Sequence, residues 1–303
     1  MAWRSVVITQ PARLHYAQRA LVIDQGSESV RVPLEDISVL IIDQPQVSLT
    51  AQLLSACATA QIAVITVGQN HHPNGVLLPH EPHSRSLKVI KSQLAMSLPR
   101  RKRLWQHIIQ RKIHNQADVL ATQGHDEACR RLRNLARHVR SGDSGHAESH
   151  AAQIYFRQLF GKGFSRSQER LQNAALNYGY SVIRSAIARN LVAYGFITSI
   201  GLHHSSEQNG FNLADDLLEP FRPIVDSHVL RHFAHEDKQD LDREQKARLI
   251  NVLYEDVVLH GVETANPPFR CTLLAAAESV VVSLSQRLSD RENQLALPGL
   301  AHK

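Results

Sequence analysis

Hydrophobic positions in residues 1–80 come in short bursts, whereas later they recur at helical spacing. Residues 6–8, 20–23, 30–32 and 39–42 are brief β-branched runs separated by turn residues such as Gly26 and Pro33, so they predict strands. Ser48 is placed to cap a helix running to Ala60, with Leu49, Leu53, Leu54 and Cys57 on one face. Residues 62–67 predict a further buried strand. Asn74 and Gly75 predict a tight hairpin, with residues 76–78 leaving it. No glycine-rich phosphate loop occurs here, so this part reads as an interaction module used for self-association.

From Ser86 onward the pattern predicts helices over 87–98, 101–120, 128–139, 148–160, 171–194, 216–233, 245–260 and 271–288. Pro99 is expected to stop the first and Pro223 to kink the sixth. Residues 295–303 read as a frayed tail. The expected fold class is α+β: a small β-rich domain over 1–80, a linker over 81–90, and a larger all-α domain over 91–303 that carries the chemistry.

With 303 residues the chain is long enough for two cores. No apolar run approaches a membrane span, and the N-terminus lacks a basic stretch followed by an apolar one, so the expected location is cytoplasmic. Cys57, Cys129 and Cys271 are far apart and read as reduced, buried thiols. The net charge of +6 is uneven: residues 86–140 hold 13 Lys and Arg against 3 Asp and Glu. Such a segment points to a polyanion, most often nucleic acid; the bland alternative is a solvated helical face. The candidate DNA contacts are Arg100, Arg101, Lys102 and Arg103, with Trp105 close by, and Arg130, Arg131, Arg133 and Arg137. The tract with His71, His72, His80 and His83 is turn-rich and reads as an exposed linker more than a metal site.

The chemistry concentrates near residues 201–226. Asp216 and Glu219 are three apart in a helical pattern and can face one spot. His204 precedes them on a loop, and Glu148 lies upstream on another helix. Clustered carboxylates with one imidazole suit a divalent ion such as Mg²⁺ or Mn²⁺. Asp216 is either a fourth ligand or a supporting acceptor, and His203 competes with His204. Taken singly, each of these residues is ordinary.

Four stretches alter that balance. Residues 148–156, ESHAAQIYF, resemble an E-x-x-A-A-x-x-Y-F helix. Residues 173–195 resemble an N-x-x-L-N-Y-G-Y helix. GLHHS at 201–205 and DLLEPFRPIVD at 216–226 resemble G-x-x-H-S and D-L-M-E-x-F-R-P segments. Together they resemble the CRISPR-associated spacer-acquisition integrase and endonuclease family, over nearly the whole chain, and are closest to the branch found with a single-protein effector. Ser149, where Gly often follows the metal Glu, is a departure.

The resemblance implies that Glu148, His204 and Glu219 are the metal ligands. It implies that homodimers, two per complex, flank a small ferredoxin-like companion protein and hold a prespacer duplex. Each prespacer 3′-hydroxyl would attack a phosphodiester at an end of a CRISPR repeat. A general metal-dependent nuclease uses the same site, and a non-catalytic DNA scaffold would need only the basic segment. A zinc hydrolase would require an H-E-x-x-H helix, which is absent.

Overall fold

The computed structural model describes residues 4–68, 73–80, 86–161, 163–168, 170–233, 241–261, 269–289 and 294–301. In chain order the first part contains β1 (Arg4–Ile8), β2 (Arg13–Ala17), β3 (Ala20–Gln25), β4 (Glu28–Pro33), β5 (Ile37–Ile42), β6 (Ser48–Leu49), α1 (Ala51–Thr59), β7 (Ala63–Val67) and β8 (Pro73–Leu77). Then follow α2 (Ser86–Leu94), α3 (Leu98–Thr122), α4 (Asp126–Arg137), α5 (Ala147–Leu159), α6 (Leu171–Ala193), α7 (Asn212–Leu218) and α8 (Arg222–Phe233). The chain closes with α9 (Arg243–Ile250), β9 (Asp256–His260), β10 (Arg270–Thr272), α10 (Leu273–Ser289) and β11 (Leu297–Leu300).

The front of the chain forms two sheets, ordered β1-β5-β7-β8 and β4-β3-β2-β6. In the first, β1, β5 and β7 run parallel and β8 returns antiparallel. Its β5, ISVLII, is buried along its whole length, as expected of a strand covered on both faces. Val39 and Ile41 pack into the helical core, while Leu40 and Ile42 join the core beneath the second sheet. The sheet is therefore a wall shared by both halves. Lys246 of α9 reaches across it to Asp43 at 2.7 Å, with both side chains almost fully buried.

Several expectations change. Thr50, not Ser48, caps α1 by accepting from the Leu53 N–H, because Ser48 and Leu49 pair with β2 instead. Residues 13–17 form a strand that their mixed composition concealed. Asn74 and Gly75 lie within β8, where Gly75 pairs with Thr66 and the Asn74 side-chain oxygen Oδ1 accepts from the Thr66 hydroxyl. Pro99 sits in the first turn of α3 and starts a helix where a stop was expected; that turn lacks the N–H partners that proline would remove. The break after α7 falls at the 3-10 turn Glu219–Phe221, and Pro223 opens α8. His71, His72, His83 and residues 81–85 of the expected linker lie outside the described residues.

The α+β division stands, but the helical part is not all-α. Residues 256–260, expected as helix, are strand β9 at the centre of a small sheet ordered β10-β9-β11. The supposed frayed tail is β11 and its approach, with Leu295, Ala296 and Leu297 buried. Asn115 of α3 donates to the carbonyls of Pro220 and Pro298, so this tail strand is tied to the 3-10 turn that bears Glu219. Among the described residues no helix is long and apolar enough to cross a membrane. Cys57 and Cys129 are buried, Cys271 is half-buried, and burial pushes the Cys57 thiol up to about 11.

The Asp43–Lys246 pair supplies a test of the shared wall. Removing one buried partner strands the other charge, so Lys246→Met should destabilise the protein by about 3–5 kcal/mol. Asp43→Asn combined with Lys246→Met should recover most of that loss in urea unfolding. Strictly additive losses would show that the two groups do not depend on each other.

Candidate metal centre

Four elements bring the predicted residues together. Glu148 comes from the first turn of α5, whose start is held by Asp143: its carboxylate accepts from the Ala147 and Glu148 N–H groups at 2.9 and 3.1 Å. These are the unpaired donors of a helix N-terminus. Holding them requires a left-handed backbone at Asp143 and His146, with φ of 52° and 53°. Glu219 opens the 3-10 turn, 4% exposed.

The two glutamates do not meet directly. Lys112 of α3 stands between them, its Nζ 2.6 Å from Glu148 Oε1 and 2.5 Å from Glu219 Oε2. Arg222 Nε donates to the other oxygen of Glu219 at 2.8 Å. Burial works against the charges, but Lys112 and Arg222 outweigh it and hold Glu219 down at about 2. Burial likewise opposes the Lys112 ammonium, and Glu219 and Glu148 outweigh it, so its pKa is raised.

Asp216 has a different task. It is fully buried, and its oxygens accept the N–H groups of Leu202, His203 and His204 at 2.5, 3.0 and 3.1 Å. It also bonds His204 Nδ1 at 2.7 Å, which leaves Nε2 as the ring nitrogen still available. That hydrogen bond, aided by the charges of Asp216 and Glu219 against partial burial, raises the pKa of His204. Gly201 permits the loop: a Cβ there would lie 2.3 Å from the His204 carbonyl oxygen and 2.7 Å from Asp216 Oδ2. His203 turns away and stacks on Trp105, ring centroids 4.3 Å apart, while His204 meets the same indole edge-on at 5.6 Å. Trp105 is thus a buried platform beneath the histidine loop.

Two carboxylates already drawn around one positive charge, with an imidazole whose other nitrogen is fixed, form a donor set that fits a divalent ion. The set is not closed in this conformation. Among the described residues, the one trio with ligand atoms all within 4.8 Å is instead His228, His232 and Glu255.

The predicted DNA residues divide by face. Arg101 points to the site, its Nε 3.4 Å from the Leu202 carbonyl. Arg100 and Arg103 line a cavity of about 570 Å³ with Arg287. Lys102 is exposed and packs its stem beside Gly142. On α4, Arg130, Arg131 and Arg137 are exposed, whereas Arg133 bonds Asp118 at 3.1 Å.

Sequence reasoning missed Lys112, Arg222, Asp143, Trp105 and Tyr180. Arg222 covers the Tyr180 ring at 4.6 Å, and the Tyr180 hydroxyl donates to buried Asp226. Helices α6 and α8 approach closely there: a Cβ on Gly179 would lie 2.6 Å from a Val225 methyl. Burial outweighs the Tyr180 hydroxyl and pushes Asp226 up to about 6.

The chain matches the family described as CRISPR associated protein Cas1 over residues 5–259. It is 42% identical over 300 residues to the CRISPR-associated endonuclease Cas1 of Neisseria meningitidis serogroup C (strain 8013), a match spanning 98% of this chain and 96% of that protein. A casposase solved bound to integration product shares the fold with a TM-score of 0.76 at 18% identity, over 98% of this chain and 93% of that one. A chain of a Cas6-RT-Cas1–Cas2 complex does so with a TM-score of 0.73 at 18% identity, over 97% of this chain and 36% of that one.

The raised Asp226 sets a pH dependence. The folded state binds this proton more tightly than the unfolded chain. The stabilisation is therefore complete below the ordinary value of 3.8 and is lost as pH rises through about 6. Asp226→Asn should flatten the fall in stability between those limits by up to about 3 kcal/mol, read from urea unfolding across that range. Identical pH profiles for the two proteins would show that Asp226 is not so perturbed.

Proposed function

We propose that this chain, which belongs to the CRISPR-associated Cas1 family, is a metal-dependent DNA integrase and endonuclease. The observation that carries this reading is the convergence of Glu148 and Glu219 on one positive charge, beside a His204 fixed by Asp216. The near full-length likeness to a Neisseria protein named as an endonuclease supports it. The reaction is attack of a prespacer 3′-hydroxyl on a repeat-end phosphodiester, with hydrolysis as the variant in which water attacks.

Glu148, His204 and Glu219 would hold one Mg²⁺ or Mn²⁺. Bound there, such an ion activates the attacking oxygen and neutralises charge on the phosphate. The remaining roles belong to the chain. Asp216 keeps the His204 loop in place and fixes the ring nitrogen that faces its carboxylate. Arg222 keeps Glu219 ionised and oriented. Lys112 holds the two carboxylates together, and its ammonium would compete with a divalent ion for them. Arg101, Lys102 and Arg103 on α3, and Arg130, Arg131 and Arg137 on α4, present cations that position a DNA backbone without reading its bases.

The assembly follows from the same reading. Residues 1–80 form the self-association surface of a homodimer, and two dimers flank the small ferredoxin-like companion. A like-folded chain has been solved within a complex containing Cas2, which supports a companion of this kind.

Glu148→Gln, Glu219→Gln and His204→Ala should each abolish joining of a 3′-OH donor to a repeat-bearing plasmid. Asp216→Asn should cost less, about 10–100-fold, as expected of a supporting residue. Wild-type joining by Glu219→Gln would sink the ligand assignment, and cleavage without joining by the wild type would favour a general nuclease.

Lys112→Met should bind Mn²⁺ more tightly in calorimetry without DNA, because the competing cation is gone. The same variant should show a lower Tm in chelator and a larger metal-induced rise. Unchanged affinity and Tm would show that Lys112 neither competes with metal nor holds the carboxylates.

A further inference from the structure

A second cluster of ligand-type side chains lies apart from the site just described. His228 and His232 are four residues apart on α8, a spacing that places both rings on one helix face. Glu255 reaches them from the residue before β9. One ligand atom from each lies within 4.8 Å of the other two, the one such trio among the described residues.

Hydrogen bonding specifies what is needed between them. His228 Nε2 is 2.9 Å from the Arg248 carbonyl oxygen. A carbonyl only accepts, so Nε2 carries a hydrogen. His228 Nδ1 then faces Glu255 Oε1 at 2.8 Å. In a neutral ring that nitrogen is a lone pair facing a carboxylate oxygen, so a proton must lie on this 2.8 Å line, or both atoms must turn toward an ion seated off it on the His232 side. A proton meets that requirement for His228 and Glu255 but gives His232 no part, although its ring lies 4.6 Å from that of His228. A metal ion uses all three. A backbone carbonyl on the far nitrogen is also how proteins orient a metal-bound imidazole.

The donor set differs in kind from the carboxylate-rich centre. Two imidazole nitrogens and one carboxylate oxygen favour Zn²⁺ over Mg²⁺. His232 is exposed, and a cavity of about 500 Å³ lined by Ser227, Arg231, Glu255 and Asp256 opens beside the cluster, so an ion has a way in. Arg231 now bonds Glu255 Oε1 at 2.8 Å, but its side chain is 48% exposed and can withdraw into solvent.

We propose that His228, His232 and Glu255 form a second metal site, selective for Zn²⁺ and completed by water. It ties the end of α8 to β9. Because α8 begins at Arg222, which grips Glu219, the ion braces the helix that supports the first site. The assignment does not depend on the reaction proposed above.

The test uses tag-free full-length protein, stripped with chelator and kept in excess Mg²⁺. Zn²⁺ calorimetry should show one tight site per chain, and Co²⁺ should give the visible absorption of a low-coordinate site. Both signals should persist in His204→Ala and weaken at least about ten-fold in His232→Ala. Arg231→Ala should tighten Zn²⁺ binding, since it removes the competing cation. Zn²⁺ should raise Tm in the wild type and not in His232→Ala. Equal Zn²⁺ affinity in wild type and His232→Ala would overturn the site, as would signals that vanish in His204→Ala instead.

Discussion

The centre of this protein depends on one ammonium group. Lys112 is nine-tenths buried and holds Glu148 and Glu219, from two other parts of the fold, at hydrogen-bond distance. Taking such ions out of water costs several kcal/mol each, and only close partners of opposite sign offset that cost. With Arg222 on the far oxygen of Glu219, the four charges sum to zero. Neutrality explains how two glutamates can be brought together before any divalent ion arrives. A divalent ion held by these glutamates, as proposed, would have to displace a cation already present, which would couple its occupancy to the position of Lys112.

Around that quartet, acids and amides hold backbone more than they face outward. Asp143 fixes the start of α5 and hence where Glu148 emerges. Asp216 gathers three consecutive N–H groups and one ring nitrogen, which makes the His204 loop as definite as a helix end. Asn115 secures the carbonyl of Pro220, next to Glu219. The Asp216 and Asn115 contacts join separate parts of the fold, whereas that of Asp143 is local. The site is therefore a property of how α3, α5, α7 and α8 pack, and a disturbance at the tail strand or at the shared sheet can reach it.

The fold was largely legible because strand and helix periods are local properties. Helices α3, α5 and α6 begin and end within a few residues of where their patterns predict. The failures share a physical cause, namely tertiary pairing that overrides local preference. Residues 256–260 continue a helical pattern yet pair with two other strands, and Leu295 and Leu297 look like a tail yet join the main core. At the site, Glu148, His204, Asp216 and Glu219 were legible through motif likeness. Asp216 carries a loop where a ligand was also conceivable, because an i, i+3 pair shares a face without its oxygens sharing a partner. Lys112 and Trp105 carried no motif. Their signal was periodicity alone: Arg101, Trp105, Lys112 and Asn115 lie along one stripe of α3, and that stripe is the one facing the site.

The same periodicity changes the meaning of the basic segment. A net charge counts every cation alike, but a helix assigns each one a direction. Lys112 is neutralised inside by two glutamates, and Arg111 and Arg133 share Asp118. The glutamates cancel the field of Lys112 within a few ångströms, whereas Asp118 offsets only one of the two arginine charges. The exposed excess includes Lys102 and Arg103 near the start of α3 and Arg130, Arg131 and Arg137 on α4. These two groups belong to helices that pack against each other, so a segment that looked uniform in sequence divides into cations exposed to solvent and one internal counter-ion. The internal cation holds two glutamates together and the external ones leave positive charge facing solvent, a division that composition alone does not contain.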